Sequence, residues 1–486
     1  MPSPQAAASG AHHDPAHASE SAPDRQQGAF TWRFVTPLYM SSALNPINSS
    51  LIATALVPIS QAMGVSVGAT AVLISALYLA SSIAQPTAGK LAEQLGPRRI
   101  FLFGILLVLV GGVVGVVGHS MAALTVARVL IGTGTSAGYP AAMVIIRRRA
   151  GWAGMSEPPG QVLGGLSIAG TVTVAIGPPI GGVLVAAFSW RSAFLVNIPV
   201  TVVALLLTTM WVPRDEPLER RPLREIAARV DISGILLFSG TMSALLVFLL
   251  SLPSPNWIPL VIAVVLGVVL VLWELRAATP FIDMRLLVSN LALTRTYLRG
   301  ALTLLAFYTV LYGLTQWLEA AHGLSTQEAG LVLLPMGIVA AVVSRPISAR
   351  NLVQGPLVAG AASFVLATLA VTLFTSQTPV LAIVGVTLLF AITLGTTSVS
   401  NQTALYTQAP ADQVGTAAGL FRTFSYLGSI ASSTITGIVF RRSVTDSGLH
   451  LVAVILVGVS IAVLALTLFD RTLKTPKQTH RHRPHQ

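Results

Sequence analysis

"GKLAEQLGPRRIFLFGILLVLVGGVVGVVG", residues 89–118, joins a short charged segment to a long apolar one. Lys90, Glu93, Arg98 and Arg99 fall within its first eleven positions. Positions 100–118 then carry no charge at all, and a helix that crosses a membrane needs about 20 mostly apolar residues. The stretch therefore predicts a membrane-spanning helix that begins directly after a charged turn.

Apolar runs separated by short polar gaps continue through the whole chain. Of its 486 residues, 53% are hydrophobic and 9% are charged, whereas soluble domains carry about 25% charged residues. Fourteen runs are long enough to span a bilayer: 34–58, 69–88, 100–118, 121–146, 160–187, 191–211, 231–252, 257–275, 293–317, 326–347, 356–376, 378–403, 413–440 and 448–469. Only helices satisfy their own backbone hydrogen bonds in lipid, so we predict an all-α polytopic membrane protein with fourteen transmembrane helices.

The distribution of Lys and Arg predicts the orientation. With the N-terminus inside, 23 of the 29 basic residues lie in the inner segments, which are the inner gaps, the adjoining ends of runs and the tails. The exceptions are Arg191, Arg441 and Arg442 in the outer segments and Arg128, Arg299 and Arg422 deeper within the runs. Cytoplasmic loops carry the excess of Lys and Arg. We therefore expect a multi-pass protein of the cell (inner) membrane, surrounded by lipid bilayer, with both N- and C-termini cytoplasmic.

Composition excludes several classes of function. The net charge is +12, but the basic residues lie in short gaps without interleaved aromatic residues, so no nucleic acid is expected as a partner. The chain has no cysteine, which excludes disulfides and cysteine-based metal or redox chemistry. We predict no metal site and no cofactor. A membrane enzyme or a sensor that transports nothing is the alternative from another class, but a nucleotide-binding loop and a nucleophile–base pair are missing, so the chain is not expected to be an enzyme.

The fourteen runs also predict a division of the chain. Residues 1–33 are polar and lack the basic-then-apolar order of a signal peptide, and we expect a disordered cytoplasmic tail. Two six-helix bundles around two additional helices would account for fourteen spans. The predicted units are the N-terminal bundle 34–211, a cytoplasmic linker 212–230, the two additional helices 231–275, the C-terminal bundle 293–469 and a disordered cytoplasmic tail 470–486.

Four motifs in the first half carry a resemblance to a known family. "GKLAEQLGPRR" (89–99), "RVLIGTGTSAGYPA" (128–141), "GGLSIAGTVTVAIGPPIGG" (164–182) and "WRSAFLVNIPV" (190–200) follow one another in this order. The first resembles the loop signature of the major facilitator superfamily, with Glu93 where the family usually has Asp. The third resembles the superfamily's antiporter signature, with Thr173 in place of a Gly. Together with fourteen spans, the ordered set resembles the fourteen-helix drug:proton antiporter family.

The resemblance implies a major facilitator fold and a secondary active transporter. Such a protein exports small, partly apolar molecules (drug or metabolite efflux) by alternating access, with a small-molecule substrate and protons as the coupling ion. The residues that it assigns to coupling or to a conformational latch are Glu93, Arg98, Arg99, Arg128, Gly177, Pro178, Gly181 and Gly182. The alternatives are a plain basic turn that fixes topology, a structural arginine that links helices, and close packing of small residues.

Polar residues within the runs are candidates for the substrate pathway. Asn45 and Asn48 share a face of the first run, but Asn48 stands where the family has an Asp, and asparagine carries no proton. All seventeen acids lie in tails, loops or at the ends of runs. Glu319 is the nearest substitute as a proton carrier, with a solvated helix end as the alternative. The oligomeric state stays open.

Aromatic, amide and arginine side chains complete the candidate pathway. They are Tyr139, Tyr312, Gln316, Asn401 and Arg422. Such groups suit a pocket that sorts ligands by shape and stacking, whereas helix packing is the alternative for each. We expect Arg299 to extend to the membrane surface. Since no acid lies mid-span, a facilitator or importer of a neutral or anionic metabolite without proton antiport is the alternative function.

Overall fold

Long helices account for most of the chain that the structure describes. The computed structural model describes residues 28–155, 159–217, 230–252, 254–350, 352–409 and 414–473. The long helices are α1 Trp32–Leu51, α2 Ala71–Leu95, α3 Pro97–Val117, α4 Met121–Trp152, α5 Gly160–Ala187, α6 Asn197–Trp211, α7 Ile232–Leu250, α8 Trp257–Glu274, α9 Leu291–Ala320, α10 Thr326–Ala349, α11 Gln354–Val371, α12 Val380–Gln408, α13 Val414–Val439 and α14 Asp446–Leu468. Each overlaps one predicted run, and these described segments contain no strand, so the predicted all-α architecture is confirmed.

Eleven of the described helices are long and apolar enough to cross a membrane. Over their described residues α1, α5 and α13 fall outside this group, although α5 contains the shorter apolar stretch Ile176–Ala187. The multi-pass architecture is confirmed, while the count of fourteen spans stays a prediction.

The first predicted run, 34–58, is not one straight helix. Pro46 has no N–H to donate, and its carbonyl oxygen accepts hydrogen bonds from the hydroxyls of Ser49 at 2.8 Å and Ser50 at 2.9 Å. Such side-chain bonds compete with the helical ladder. A 3₁₀ turn, Ile52–Ala55, follows α1, and a short helix, Leu56–Met63, completes the segment. The run is therefore divided into an α-helix, a 3₁₀ turn and a short second helix.

The helices pack in two groups with a separate pair between them in sequence. In the first group α1 contacts α4, α5 and α6, and α4 also contacts α2 and α3. In the second group α9 contacts α13 and α14, and α12 contacts α10 and α11. The groups meet where α2 lies against α13 and where α5 lies against α10.

Helices α7 and α8 form a pair on the flank of the bundle. They pack on each other, and α7 touches α2 and α13. Much of α8 is uncovered and apolar, with Val261, Val264, Val265 and Val268 all exposed. Uncovered apolar surface of this kind suits contact with lipid chains rather than water.

The two ends of the bundle differ in their connections. One end, called here the arginine-rich end, carries the α2–α3 turn at Gly96, the end of α4 at Arg147–Arg149 and the end of α6. The opposite end carries the α1–α2 connection and the α9–α10 connection at 321–325. Which of these two ends faces the cytoplasm stays a prediction.

Each of the two predicted tails needs one boundary correction. Helix α1 starts at Trp32, two residues inside the predicted tail 1–33. Residues Arg471–Leu473 form a 3₁₀ turn, and Asp470 and Leu473 are buried, so the predicted tail 470–486 begins too early. The physical reason is that Asp470 pairs with a buried arginine of α9. Residues 1–27, 218–229 and 474–486 lie outside the described residues.

Candidate functional site

Four buried tyrosines lie where the two halves meet. Tyr78 of α2 faces Tyr308 and Tyr312 of α9 and Tyr426 of α13. Ring centroids are 5.1 Å apart for Tyr78 and Tyr308, and 5.5 Å apart for the stacked pair Tyr308 and Tyr312. The distance from Tyr78 to Tyr426 is 5.9 Å. These four residues, called here the tyrosine cluster, join the first half to the second through aromatic contacts.

The hydroxyls of the tyrosine cluster are bonded to each other and to α1. The Tyr312 hydroxyl donates to the carbonyl oxygen of Ser49 at 2.7 Å. It therefore accepts at its own oxygen from Tyr78, 2.9 Å away. The Tyr308 hydroxyl lies 3.4 Å from the Ser49 Oγ. The cluster thus combines apolar ring faces with polar edges, a mixture that suits partly apolar ligands.

Predicted pathway residues Tyr139 and Arg422 come together beside the tyrosine cluster. The Arg422 guanidinium lies 4.7 Å from the centroid of the Tyr139 ring, a cation–π geometry. Arg422 also bonds to the Tyr426 hydroxyl, which in turn donates to the Gln85 Oε1. Helices α2, α4 and α13 are linked by this chain of contacts. Of the predicted set, Tyr139, Tyr312 and Arg422 are therefore neighbours of one interface.

Further contacts hold α2 to α13 toward the opposite end. The Ser75 and Ser433 hydroxyls are 2.7 Å apart. The Gly68 amide donates to the Phe440 carbonyl oxygen at 3.2 Å. Both contacts are neutral hydrogen bonds between the halves. In this conformation α2 and α13 are therefore in contact from the tyrosine cluster to the opposite end.

Asn48 is engaged inside the first half. Its amide forms a reciprocal pair with Asn197 of α6: the Asn48 Nδ2 donates at 2.6 Å and the Asn197 Nδ2 donates back at 3.0 Å. The remaining N–H groups bond to the carbonyl oxygens of Leu44 and Phe194. Both asparagines are buried. The pair therefore connects α1 to α6, and a role of Asn48 in the pathway stays a prediction.

Asn45 and Arg128 connect the helices of the first half. Asn45 donates to the Ser81 Oγ at 3.1 Å and to the Thr135 Oγ1 at 3.0 Å. The fully buried Arg128 donates to the carbonyl oxygens of Leu73 at 3.0 Å and Asn48 at 3.1 Å. No acid among the described residues forms an ion pair with Arg128, and its Nη2 has no hydrogen-bond partner there. Arg128 is therefore a positive charge held by carbonyl dipoles near the tyrosine cluster.

The glycines of the antiporter-like motif serve two different contacts. A side-chain carbon added to Gly177 would lie 1.9 Å from the Ser50 Oγ, and one added to Gly181 would lie 2.6 Å from the Leu51 carbonyl oxygen. A carbon added to Gly182 would instead lie 2.7 Å from the Thr326 carbonyl oxygen. Gly177 and Gly181 therefore let α5 approach α1, whereas Gly182 lets α5 approach α10.

Pro178 takes part in the second of these contacts. A side-chain carbon on Gly330 of α10 would lie 2.6 Å from the Pro178 carbonyl oxygen. The backbones of α5 and α10 thus touch at Pro178 and at Gly182, with no side chain between them. This backbone seam, called here the α5–α10 seam, closes the two halves against each other in the part of α10 that begins at Thr326.

The α2–α3 turn is closed by an acid that the loop signature does not contain. Gly96 has φ +102°, a conformation that glycine adopts easily. Asp215, from the end of α6, accepts from the backbone N–H groups of Arg98 at 3.2 Å and Arg99 at 2.8 Å. A carboxylate at this position satisfies the first N–H groups of α3 and complements its dipole. Asp215 lies in the predicted linker, which is why the motif alone did not indicate it.

The two arginines of the loop signature also donate hydrogen bonds to backbone carbonyl oxygens in α6 and just after it. The Arg98 Nη2 donates to the Thr209 carbonyl oxygen at 2.9 Å, and the Arg99 Nη2 donates to the Glu216 carbonyl oxygen at 3.0 Å. Glu93 is exposed and forms no hydrogen bond or ion pair with the described residues. The α2–α3 turn is therefore hydrogen-bonded to the end of α6 and to the residues that follow it, all within the first half. The latch role of Glu93 stays a prediction.

Replacing Asp215 with alanine is expected to destabilise the protein by about 0.5–2 kcal/mol, the usual cost of losing an N-cap acceptor. Thermal unfolding in detergent, followed by tryptophan fluorescence, measures the loss. Glu93→Gln is the control, because its carboxylate touches none of the groups that Asp215 binds. A greater loss of stability in Glu93→Gln than in Asp215→Ala would assign this stabilising contact to Glu93 instead.

Asn401 and Gln316 lie apart from the Tyr139–Arg422 contact. The Asn401 Oδ1 accepts from the Arg299 Nε at 2.6 Å, and Arg299 also pairs with Asp470 at 3.5 Å. Arg299 is fully buried, so the expectation that it extends to the membrane surface is wrong, because a carboxylate is supplied from beyond α14. Gln316 is buried with an Oε1 that has no partner among the described residues.

The described residues hold no group of three or more His, Asp or Glu side chains that could bind a metal ion.

The sequence model described as Major Facilitator Superfamily matches residues 38–433. The chain belongs to the major facilitator superfamily. The resemblance in the first-half motifs is thereby confirmed, and the protein is a multi-pass membrane transporter of this superfamily.

Relatives within the superfamily include resistance and export proteins. The chain is 34% identical over 448 residues to the MFS-type transporter YwoD of Bacillus subtilis, covering 91% of this chain and 98% of that one. It is 29% identical to the tetracenomycin C resistance and export protein of Streptomyces glaucescens, covering 90% and 80% of the two chains. It is also 29% identical to the methyl viologen resistance protein SmvA of Salmonella typhimurium, covering 74% and 72%.

Solved structures of other transporters share the fold. The crystal structure of the peptide transporter POT in complex with sulfate superposes with a TM-score of 0.66 at 14% sequence identity, covering 93% of this chain and 99% of that one. At this identity the likeness concerns the fold alone. The major facilitator fold expected from the motifs is confirmed.

Proposed function

We propose that the protein exports small, partly apolar molecules by alternating access, driven by protons. The observation that carries the proposal is the interface between the halves: four tyrosines, bordered by Arg422 and Tyr139, lie at the junction of α2, α9 and α13. Ring faces with a few polar groups suit ligands recognised by stacking and shape. Similarity to a tetracenomycin C export protein and a methyl viologen resistance protein supports export.

Alternating access requires contacts that form in one conformation and separate in the other. The α5–α10 seam supports this requirement, because backbone meets backbone at Gly182 and Gly330. Without side chains to interdigitate, the two helices can separate as units. The seam therefore acts as the closed gate of the conformation seen here.

Glu319 is the acid that we assign to proton coupling. It lies near the end of α9, where its Oε2 accepts from the Thr326 Oγ1 at 3.4 Å. Its Oε1 is buried and has no hydrogen-bond partner among the described residues. The carbonyl oxygen of the same Thr326 is the atom against which Gly182 packs. A change of protonation at Glu319 therefore acts directly beside the α5–α10 seam.

Glu319→Gln is expected to abolish substrate-triggered proton movement while leaving the protein folded, because glutamine keeps the shape but carries no exchangeable charge. The measurement uses inverted membrane vesicles with a pH-sensitive dye and a panel of cationic, neutral and anionic compounds. Wild type should release protons from the lumen on addition of a transported compound.

Glu328→Gln is the matched control at the same end. Glu328 is exposed and forms a capping box with Ser325, which glutamine can also form, so this variant should behave as wild type. Proton release in Glu319→Gln at the wild-type level would contradict the coupling role.

A facilitator of a neutral or anionic metabolite is the second candidate. The observation in its favour is the Asn48–Asn197 pair, which replaces an ionisable group by two neutral amides. Substrate flux without any proton signal, equal in wild type and in Glu319→Gln, would favour the facilitator.

A further inference from the structure

Two acids meet where the α7–α8 pair adjoins the first half. Asp231 precedes α7 and Glu274 ends α8, and they are 5% and 1% exposed. A side-chain carbon added to Gly234 would lie 2.3 Å from the Asp231 Oδ2 and 2.6 Å from the Glu274 Oε1. Both carboxylates thus border the same small space above Gly234.

The two acids differ in how they are bonded. The Asp231 Oδ1 accepts from the Gly234 amide at 3.0 Å and from the Trp273 Nε1 at 2.8 Å. Its Oδ2 accepts from the Phe281 amide at 3.0 Å. The backbone N–H groups of Phe281 and Ile282 face Glu274, but neither of its oxygens forms a hydrogen bond of normal geometry with the described residues. Asp231 is thus held by three N–H donors, whereas Glu274 has none of normal geometry among the described residues.

Lys90 of the α2–α3 region supplies one positive charge nearby. Its Nζ donates to the carbonyl oxygens of Thr279 at 3.2 Å and Pro280 at 3.0 Å, in the segment that follows α8. Lys90 interacts electrostatically with Asp231 and Glu274, without forming a direct ion pair with either. One ammonium balances one carboxylate. A second ionised carboxylate would leave an uncompensated buried charge, which is costly.

Other charged groups near Glu274 interact with different partners. Asp283 accepts from the Leu286 amide at 3.0 Å and caps the next short helix. Arg285 donates to the Leu275 carbonyl oxygen. Glu93 is exposed, and its charge acts on Lys90. Asp231 and Lys90 are therefore the charged described groups that act on Glu274.

We propose that Asp231 and Glu274 form a proton-binding site in which Glu274 carries one proton shared with Asp231. With the proton bound, the cluster of two acids and Lys90 is neutral and the 276–283 segment docks on Lys90. Release of the proton leaves a buried negative charge, and the segment separates to admit water. The site is distinct from Glu319, which lies at the other end of the bundle, and it makes docking of the α7–α8 pair dependent on pH at the arginine-rich end.

Infrared difference spectroscopy on the full-length protein in lipid nanodiscs tests the proposal without a transport substrate. Wild type should show the carbonyl band of a protonated carboxylic acid that disappears as the pH is raised. Glu274→Gln should lose this band. Glu319→Gln, which concerns the proposed function, should keep it, and so should the exposed control Glu93→Gln. Spectra of Glu274→Gln that superpose on those of wild type would overturn the proposal.

A second readout follows the docked segment itself. In wild type, amide hydrogen exchange in 276–283 should lose protection at high pH, beyond the ordinary chemical rise in rate. In Glu274→Gln the segment should stay protected, because a neutral amide never leaves an uncompensated charge. If Glu274→Gln fails to fold, Glu274→Asp should shift the infrared band. Equal loss of protection in wild type and Glu274→Gln, or an unshifted band in Glu274→Asp, would refute the site.

Discussion

Gly182→Leu is expected to abolish export while the protein still inserts and folds. A side-chain carbon at this position would lie 2.7 Å from the Thr326 carbonyl oxygen and 3.1 Å from the Gln327 Cα, so α5 and α10 must separate to admit it. Overpacking of this kind costs about 1–3 kcal/mol, and about 1.4 kcal/mol changes an equilibrium tenfold. The conformation closed at the α5–α10 seam would lose about ten- to a hundredfold in population.

Export assays and spin-label distances measure this effect. The chain contains no cysteine, so labels can be placed uniquely on the exposed Phe188 of the α5 end and Leu331 of α10. The distance between them should increase in Gly182→Leu. Gly385→Leu in α12 is the control, because nothing lies within 4 Å of a carbon added there. Normal export by Gly182→Leu, with an unchanged label distance, would show that the seam is not a gate.

Arg299→Leu is expected to destabilise the second half by about 3–5 kcal/mol, the usual cost of removing one partner of a buried ion pair. Arg299 donates to the Asn401 Oδ1 at 2.6 Å and to the Thr296 Oγ1 at 2.9 Å, and pairs with Asp470 at 3.5 Å. Its loss leaves the buried Asp470 carboxylate with the partly exposed Arg295 as its remaining described charged partner. Thermal unfolding in detergent measures the change.

Arg295→Leu provides a matched control on the same carboxylate. Arg295 pairs with Asp470 at 3.6 Å, but its side chain is 44% exposed, and exposed pairs contribute about 0–1 kcal/mol. Adding Asp470→Asn to Arg299→Leu should recover part of the stability, since the buried carboxylate that has lost its buried partner is then removed. Equal losses in Arg295→Leu and Arg299→Leu would contradict the assigned role of the buried pair.

The helices could be predicted from hydropathy, but their full lengths could not. The run 121–146 corresponds to α4, which continues to Trp152 through three arginines. The run 293–317 corresponds to α9, which continues to Ala320. A hydropathy pattern identifies the part of a helix that faces lipid. The backbone hydrogen bonds of the helix continue beyond that part, into the polar region, as they do in α4 and α9.

The site could be predicted only in part, because its contacts join distant segments. Arg422 and Tyr139 were identifiable as polar groups inside apolar runs. Tyr78 and Asn197 were not, since each is significant only through a partner on another helix. Asp215 stands in a charged loop where many acids are merely solvated. Sequence spacing indicates the face of one helix and carries no information about which helix packs against it.

Several of the bonds that join the two halves are neutral hydrogen bonds, whereas the second half also contains a buried ion pair. Inside the second half, a buried ion pair ties α9 to the segment after α14. Between the halves, the contacts of Tyr78 with Tyr312 and of Ser75 with Ser433 are neutral hydrogen bonds, each contributing about 0.5–1.5 kcal/mol. Water molecules can take over such bonds one by one. The two halves are therefore joined by a surface whose hydrogen bonds can be exchanged for bonds to water, and formed again, at a small cost in free energy.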